Sequence, residues 1–308
     1  MDFTLAHGTA NDFVVLADLD DRLELSAVLA RALTDRRRGL GADGVLRLGA
    51  PRTAGADVFM DHRNADGTTA RMCGNGVRVV AKHLLDHGLL GAADPDVVRV
   101  GTRSGVKAVR VVARHPDGTV AEVAVDMGAP ELNPAQVPFR ADDVDAVMHR
   151  VALDDAALIA QLGKDTVEFA VVSMGNPHAV VSVDDVATAP VAGLGAWLGA
   201  HDRFPEGVNV GFAQVLGRDA IRLRVNERGV GETAACGTGA CGAVVALQRR
   251  GLVDVEVAVH LPGGTLTVRH TAGGTVMMTG PAVEVAHGVL DPSWASAVRR
   301  GELEVETP

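Results

Sequence analysis

Apolar positions recur at helical spacing after Cys73 and again after Cys236. Val77, Val80, Ala81, Leu84 and Leu85 share one face of the first run, and Ala240, Ala243, Val244 and Leu247 share one face of the second. The runs end at Gly88 and Gly251, so each predicts a helix stopped by glycine. Each cysteine lies 15 residues before its stop (88 − 73 and 251 − 236). Both helices carry few polar residues, which predicts that strands wrap each of them. Alternating positions place such strands at 106–113, 120–127, 253–261 and 266–269. Residues 26–38 read as a surface helix with Val28, Leu29, Ala32 and Leu33 inward and Gly39 as its stop. Residues 142–162 read as a further helical, more acidic stretch, and 294–299 as a short helix near the end.

The match between the two halves extends beyond the cysteines. Gly8-Thr9-Ala10-Asn11-Asp12-Phe13-Val14-Val15 has a counterpart in Ser173-Met174-Gly175-Asn176-Pro177-His178-Ala179-Val180-Val181. In each, an asparagine leads into an apolar strand. Asn11 precedes Cys73 by 62 positions and Asn176 precedes Cys236 by 60. Three matched features in one order predict two copies of one unit, with Met127-Gly128-Ala129-Pro130 as the crossover. The predicted first domain is 1–127, completed by 281–308; the second is 128–280.

Composition narrows the function classes. The 308 residues suffice for two domains, each with its own core. A net charge of −10 argues against nucleic acid or an anionic membrane surface as partner. Arg36-Arg37-Arg38 is the one compact basic run and reads as a solvated helix end. No apolar stretch reaches the roughly 18 residues of a membrane helix, and the first residues lack a signal-peptide pattern. Three cysteines do not form a disulfide framework, so reduced thiols in the cytoplasm are expected.

A cysteine at a helix start has a specific chemistry. Unpaired N–H groups and the helix dipole favour negative charge there, which predicts a thiol pKa below the free value of about 8.5. The glycines after each cysteine let backbone N–H groups approach an anion. Two such starts facing one substrate would hold its carboxylate and set a sulfur on each side of the adjacent carbon. The expectation is an acid/base pair.

Several signals carry less weight. Gly39-x-Gly41-x-x-Gly44 and Gly237-x-Gly239-x-x-Gly242 match the dinucleotide fingerprint, but one lacks the preceding strand and the other the acidic residue about 20 positions on. Cys241 reads as a small core residue. A metal or redox protein built on Cys73, Cys236 and Cys241 is set aside, because no Cys-x-x-Cys or His-x-x-x-His spacing is taken to support it. A non-catalytic amino-acid-binding module is the remaining rival from another class, although it has no need of two cysteines.

The motifs carry a resemblance. They are His7-Gly8-Thr9-x-Asn11-Asp12-Phe13, Gly39-Leu40-Gly41-Ala42-Asp43-Gly44, Asn64-Ala65-Asp66-Gly67, Met72-Cys73-Gly74-Asn75-Gly76, Met174-Gly175-Asn176-Pro177-His178, Gly207-Val208-Asn209-Val210 and the run from Glu227-Arg228-Gly229 to Ala235-Cys236-Gly237-Thr238-Gly239. In this order the chain resembles the diaminopimelate epimerase family. The resemblance implies an α/β (α+β) fold of two pseudo-symmetric domains. Each is a barrel-like, mostly antiparallel sheet around a central helix, with the site in the interdomain cleft. It implies epimerisation of LL- to meso-diaminopimelate, on the route to lysine and peptidoglycan precursors, with no cofactor. Cys73 and Cys236 would be the acid/base pair, Cys236 taking the proton from the LL substrate and Cys73 donating. Gly74, Asn75, Gly237 and Thr238 would bind the reacting carboxylate. Asn11, Asn64, Asn176, Asn209, Arg228 and Glu227 would hold the rest of the substrate, with His178 and Glu227 tuning the pair.

Three positions depart from the family pattern. Gly44 stands where many members have Gln, Asn226 where many have Tyr, and Ala286 where many have a Tyr at a dimer contact. A small-molecule substrate is the expected partner, with neither nucleic acid nor membrane. The resemblance also implies a homodimer, against which the departure at Ala286 counts. A proline racemase-like or other amino-acid racemase of the same fold is the runner-up.

Overall fold

The structure, a computed structural model, describes residues 1–91 and 94–301. The chain divides into two compact units, Met1–Val125 with Thr279–Pro308, and Asp126–Met278.

In the first unit β1 (Asp2–Gly8) and β2 (Asn11–Ala17) form a hairpin, followed by α1 (Ala27–Thr34), β3 (Gly44–Gly49) and β4 (Val58–Asn64). Then come α2 (Gly74–Asp86), β5 (Val97–Thr102), β6 (Gly105–Arg114) and β7 (Val120–Asp126). The pairing alternates: β1 antiparallel to β2, β2 parallel to β3, β3 antiparallel to β4, β4 parallel to β5, β5 antiparallel to β6. Every residue of α2 from Gly74 to Leu84 is buried. Its polar members survive there through partners: Lys82 Nζ donates to Asp86 and to the Val120 carbonyl, both at 2.7 Å.

The second unit opens with β8 (His149–Ala152), α3 (Ala156–Leu162), β9 (Thr166–Ser173) and β10 (Pro177–Ser182), followed by α4 (Val191–Gly199). Next are β11 (Asn209–Gly217), β12 (Ala220–Glu227), β13 (Gly231–Thr233), α5 (Gly237–Arg249), β14 (Glu256–Leu261), β15 (Gly264–His270) and β16 (Val276–Pro281). Here β9 is antiparallel to β10, β10 parallel to β11, β11 antiparallel to β12, β12 parallel to β14 and β14 antiparallel to β15. That is the order of the first unit, strand for strand. The core helix α5 again comes between the fourth and fifth strands of the series, here after the short β13, as α2 comes between β4 and β5. Phe139, Phe169, Phe204 and Phe212 belong to a further core that takes in Leu158 of α3 and Leu194 and Leu198 of α4. The chain then contributes β17 (Val283–Val289), paired to β1, and α6 (Pro292–Arg299) to the first unit.

Each unit is therefore a mixed, predominantly antiparallel sheet around one helix, as expected. The details differ in four places. Helix α1 is eight residues long, capped by Ser26 Oγ on the Leu29 amide, and ends at Asp35 rather than running to Gly39. The Asp35 carboxylate accepts from the amides of Arg37 and Arg38 and turns the chain away. Val28 is exposed, and Ala30 takes the inward place. The stretch 142–162 is turns, then β8, then α3, because 149–152 alternates in burial and pairs with β9. The strand expected at 253–261 begins at Glu256.

Candidate active site

Cys73 and Cys236 occupy the same place in their units. Each is the N-cap of its 13-residue helix with extended backbone, φ −140° and ψ 117° for Cys73, φ −119° and ψ 107° for Cys236. Each Sγ accepts from the amide three residues on, Gly76 at 3.4 Å and Gly239 at 3.3 Å. A thiol thus takes the capping role usually given to Ser or Asp. Both third positions are glycine for want of room. A Cβ on Gly76 would crowd the Leu46 side chain at 3.3 Å, and one on Gly239 would crowd Val225 at 3.1 Å and the Cys236 sulfur at 3.2 Å.

Around Cys73 the residues expected from the repeat converge. Cys73 Sγ and Asn75 Nδ2 both address Asn11 Oδ1, at 3.8 and 3.2 Å. Asn11 Nδ2 donates to Asp43 at 2.8 Å. Arg36 forks onto Asp12 and reaches Asp43, each contact at 2.9 Å, so it orders this loop while remaining exposed just past the end of α1. Thr9 and Ala10, in the turn before Asn11, have φ of 51° and 61°, a costly conformation for a β-branched threonine. What holds it is Arg78, fully buried on α2, whose Nη2 donates to Thr9 Oγ1 at 3.0 Å and to Asn75 Oδ1 at 2.9 Å. Sequence reasoning missed Arg78; a single charge inside Val77-Arg78-Val79-Val80 was the available signal. Asn64, at the end of β4, donates from Nδ2 to Thr68 Oγ1 at 3.0 Å. Gly44 pairs with Asn64, and a side chain at position 44 would strike the Arg63 carbonyl at 2.8 Å and the His62 ring at 2.9 Å.

Around Cys236 the surroundings are tighter. The residue is 5% exposed, and its thiol is pushed well above the ordinary value, first by burial and then by the charge of Glu227. Hydrogen bonds from Thr238 and Gly239 pull the other way and lose. The depressed pKa expected from the helix start does not hold at this cysteine. Desolvation outweighs the end charges of a helix. Glu227 is fixed by the Thr233 hydroxyl. Cys241 lies fully buried on α5.

The remaining predicted residues of this unit form two linked pairs. His178 Nε2 meets Asn176 Oδ1 at 3.1 Å. Burial, followed by the nearby charge of Arg228, lowers the His178 pKa to about 3, so the ring is neutral. Asn209 sits opposite His178 in the parallel β10–β11 ladder, donates to the Pro177 carbonyl at 2.9 Å and accepts from the Arg228 amide at 3.0 Å. Arg228 Nη1 donates to the Glu206 carbonyl at 2.6 Å. Asn226 is buried against Gly195, where an added Cβ would come within 2.5 Å of its own. A concavity of about 820 Å³ in this unit, lined by Gln248, Arg249 and His270 among others, lies toward the far end of α5 and holds no cysteine.

A family model described as diaminopimelate epimerase matches residues 3–133 and 170–285. A diaminopimelate epimerase of Halorhodospira halophila is 47% identical over 305 residues, covering 98% of this chain and 99% of the relative. One from Acidovorax ebreus is 47% identical over 94% of this chain and 97% of its own. Among solved structures, a probable proline racemase from Agrobacterium radiobacter superposes with a TM-score of 0.66 at 18% identity, over 94% of this chain and 93% of that one. A hydroxyproline epimerase from Agrobacterium vitis does so at 0.65 and 17%, over 96% and 93%. At such identities these structures speak to the fold alone.

Proposed function

The chain belongs to the diaminopimelate epimerase family, and from that premise we propose that it interconverts LL- and meso-2,6-diaminopimelate through Cys73 and Cys236. One sulfur removes the α-proton from one face while the other returns a proton to the opposite face. No electron-sink cofactor enters the scheme. The developing negative charge is carried by the substrate carboxylate, which meets the first-turn amides of residues 74, 75, 237 and 238. Each cysteine sulfur already takes the third amide, so cap and anion site share one helix start.

The observation that supports this most is the equivalence of the two cysteines: same cap geometry, same helix, same place in a repeated strand order. A two-face proton transfer needs two like groups, and the repeat supplies them. Cys236 rests as the protonated thiol, the form that donates. In the LL-to-meso direction, where Cys236 takes the proton, only enzyme with that sulfur ionised reacts. The rate in that direction rises from neutral into alkaline pH. Asn11, Asn64, Asn176, Asn209 and Arg228 bind the amino and carboxylate groups, and Glu227 and neutral His178 position the Cys236 side. The free thiols suit a reducing cytoplasm.

The test is exchange at the α-carbon. LL-diaminopimelate incubated with the protein in D2O gains deuterium as the meso form accumulates. Absence of exchange over many enzyme equivalents would falsify the assignment. Cys73→Ala and Cys236→Ala each remove epimerisation in both directions, while Cys241→Ala retains it.

A further inference from the structure

His83 and His87 lie one turn apart at the end of α2, in His83-Leu84-Leu85-Asp86-His87. The spacing is His-x-x-x-His, which puts both rings on one face of the helix. Both rings turn toward Glu284 on β17. His83 Nδ1 is 2.7 Å from Oε1 and His87 Nε2 is 3.0 Å from Oε2. The three ligand atoms lie within 4.8 Å of one another. A third imidazole joins them: His287 Nε2 is 3.5 Å from Glu284 Oε2, and its ring stands edge-on to His87 at 5.2 Å.

A regular strand would send Glu284 and His287 to opposite faces. Between Leu5 and Ala6 the β1–β17 register slips, so that Ala6 faces Glu284 while Leu5 faces Ala286. The bulge re-aims the strand, and positions 284 and 287 come to one side. His287 is also oriented from behind. Its Nδ1 bonds the hydroxyl of Thr4, its partner across the ladder, at 2.9 Å, which leaves Nε2 toward the cluster. A second hydrogen bond of this kind is what holds a metal-binding histidine in place.

We propose that His83, His87, Glu284 and His287 form a binding site for one zinc-type divalent cation. Three imidazoles and a carboxylate are the nitrogen and oxygen donors that zinc prefers, and Zn–N bonds of 2.0–2.1 Å put tetrahedral ligands about 3.3 Å apart. The imidazole nitrogens stand 2.7, 3.0 and 3.5 Å from the Glu284 oxygens. The ligand atoms of His83, His87 and Glu284 lie within 4.8 Å of one another, with His287 as the outer, fourth ligand. His83 and Glu284 are nearly closed off while His87 and His287 are 38% and 53% exposed, so the site is shaped at its base and open to solvent on one side. A rise of about 1.5 Å per residue puts His83 some 15 Å along α2 from Cys73. The cation therefore braces β17 against α2 and takes no part in proton transfer.

The competing reading is a self-contained hydrogen-bond cluster that binds no ion. Untagged protein, stripped with chelator, is titrated with Co2+ and followed by visible absorption, with Zn2+ competition and thermal unfolding alongside. The expected result is one Co2+ per chain with intense tetrahedral bands, displaced by Zn2+, and a Zn2+-dependent rise in Tm. His87→Gln and Glu284→Gln weaken binding at least tenfold and remove the Tm rise. Thr4→Val, which removes only the buttress of His287, weakens it about tenfold. A near-ultraviolet thiolate-to-cobalt band, no binding below 100-fold excess metal, or variants that bind like the parent would each overturn the proposal.

Discussion

At Cys236, burial and one carboxylate decide the charge against the helix end. The thiol is raised well above its ordinary value by desolvation and then by Glu227, so removing that charge moves it back toward ionisation. In Glu227→Gln, alkylation of Cys236 is expected to set in at lower pH than in the parent, read by mass spectrometry of the labelled peptides. Labelling of Cys73 should keep its pH profile. A shift to higher pH at Cys236 would exclude Glu227 as the cause. The same group makes a stability statement. A folded-state pKa raised above the unfolded one gives stability that is fully present below the unfolded value and lost as pH rises through the folded value. The Tm difference between the parent and Cys236→Ala is therefore expected to shrink above about pH 9, the region of an unperturbed thiol. A difference that grows there would mean that the thiol is not raised. Of this, the sequence disclosed the position and not the protonation state. Helix-start reasoning predicts a thiolate, and only the packing around residue 236 reveals that desolvation wins.

The two central helices were the most legible elements, since a long apolar face with a glycine stop leaves few alternatives. Short elements were less so. Eight residues of α1 give too few turns to fix which face is inward, hence Val28 and Ala30 exchange places. The four alternating residues of β8 vanish inside an acidic stretch that reads as helix. The anchoring of the helix starts was hidden altogether, because Arg78 looks out of place in an apolar run until Thr9 and Asn75 are seen to meet it. Arg78→Met leaves both acceptors buried without their donor and relaxes the left-handed turn at Thr9. A loss of about 1–3 kcal/mol in unfolding free energy is expected, with a fall in kcat that exceeds any change at Cys236. Denaturant unfolding with unchanged m-value checks the first, and a variant as stable and active as the parent would refute the role. On α5, Gly242→Ala tests the second helix. Its methyl would sit 3.1 Å from Val172, so stability should not rise by the roughly 1 kcal/mol that alanine brings to a helix interior, and the disturbance should fall on the Cys236 side alone.

Across the whole molecule, the duplication was readable because it repeats a motif at a fixed period, and the strand pairing then repeats in full. The cluster around Glu284 was not readable. Its two sides are 201 residues apart and a bulge sets the face of one of them. Choice of substrate is also a property of the whole chain, because family membership and the polar residues bear on it together while the fold is shared with proline-directed neighbours. Arg228 and the asparagines suit an amino acid with a second zwitterionic end, which a guanidinium grips in two-pronged fashion. Under the proposed function, binding energy from that distant end would go into aligning the α-carbon for proton transfer, so its loss should appear in kcat as well as in KM. L-Alanine, with the same reacting centre and no second end, should turn over far more slowly than LL-diaminopimelate, and L-proline no better. Arg228→Lys should resemble the truncated substrate, since one ammonium cannot reproduce the fork. For alanine the variant should differ little from the parent, because there is no distal carboxylate to lose. Turnover of the three substrates by parent and variant decides the matter, and proline as the best of them would move the chain's activity to the racemases whose fold it shares.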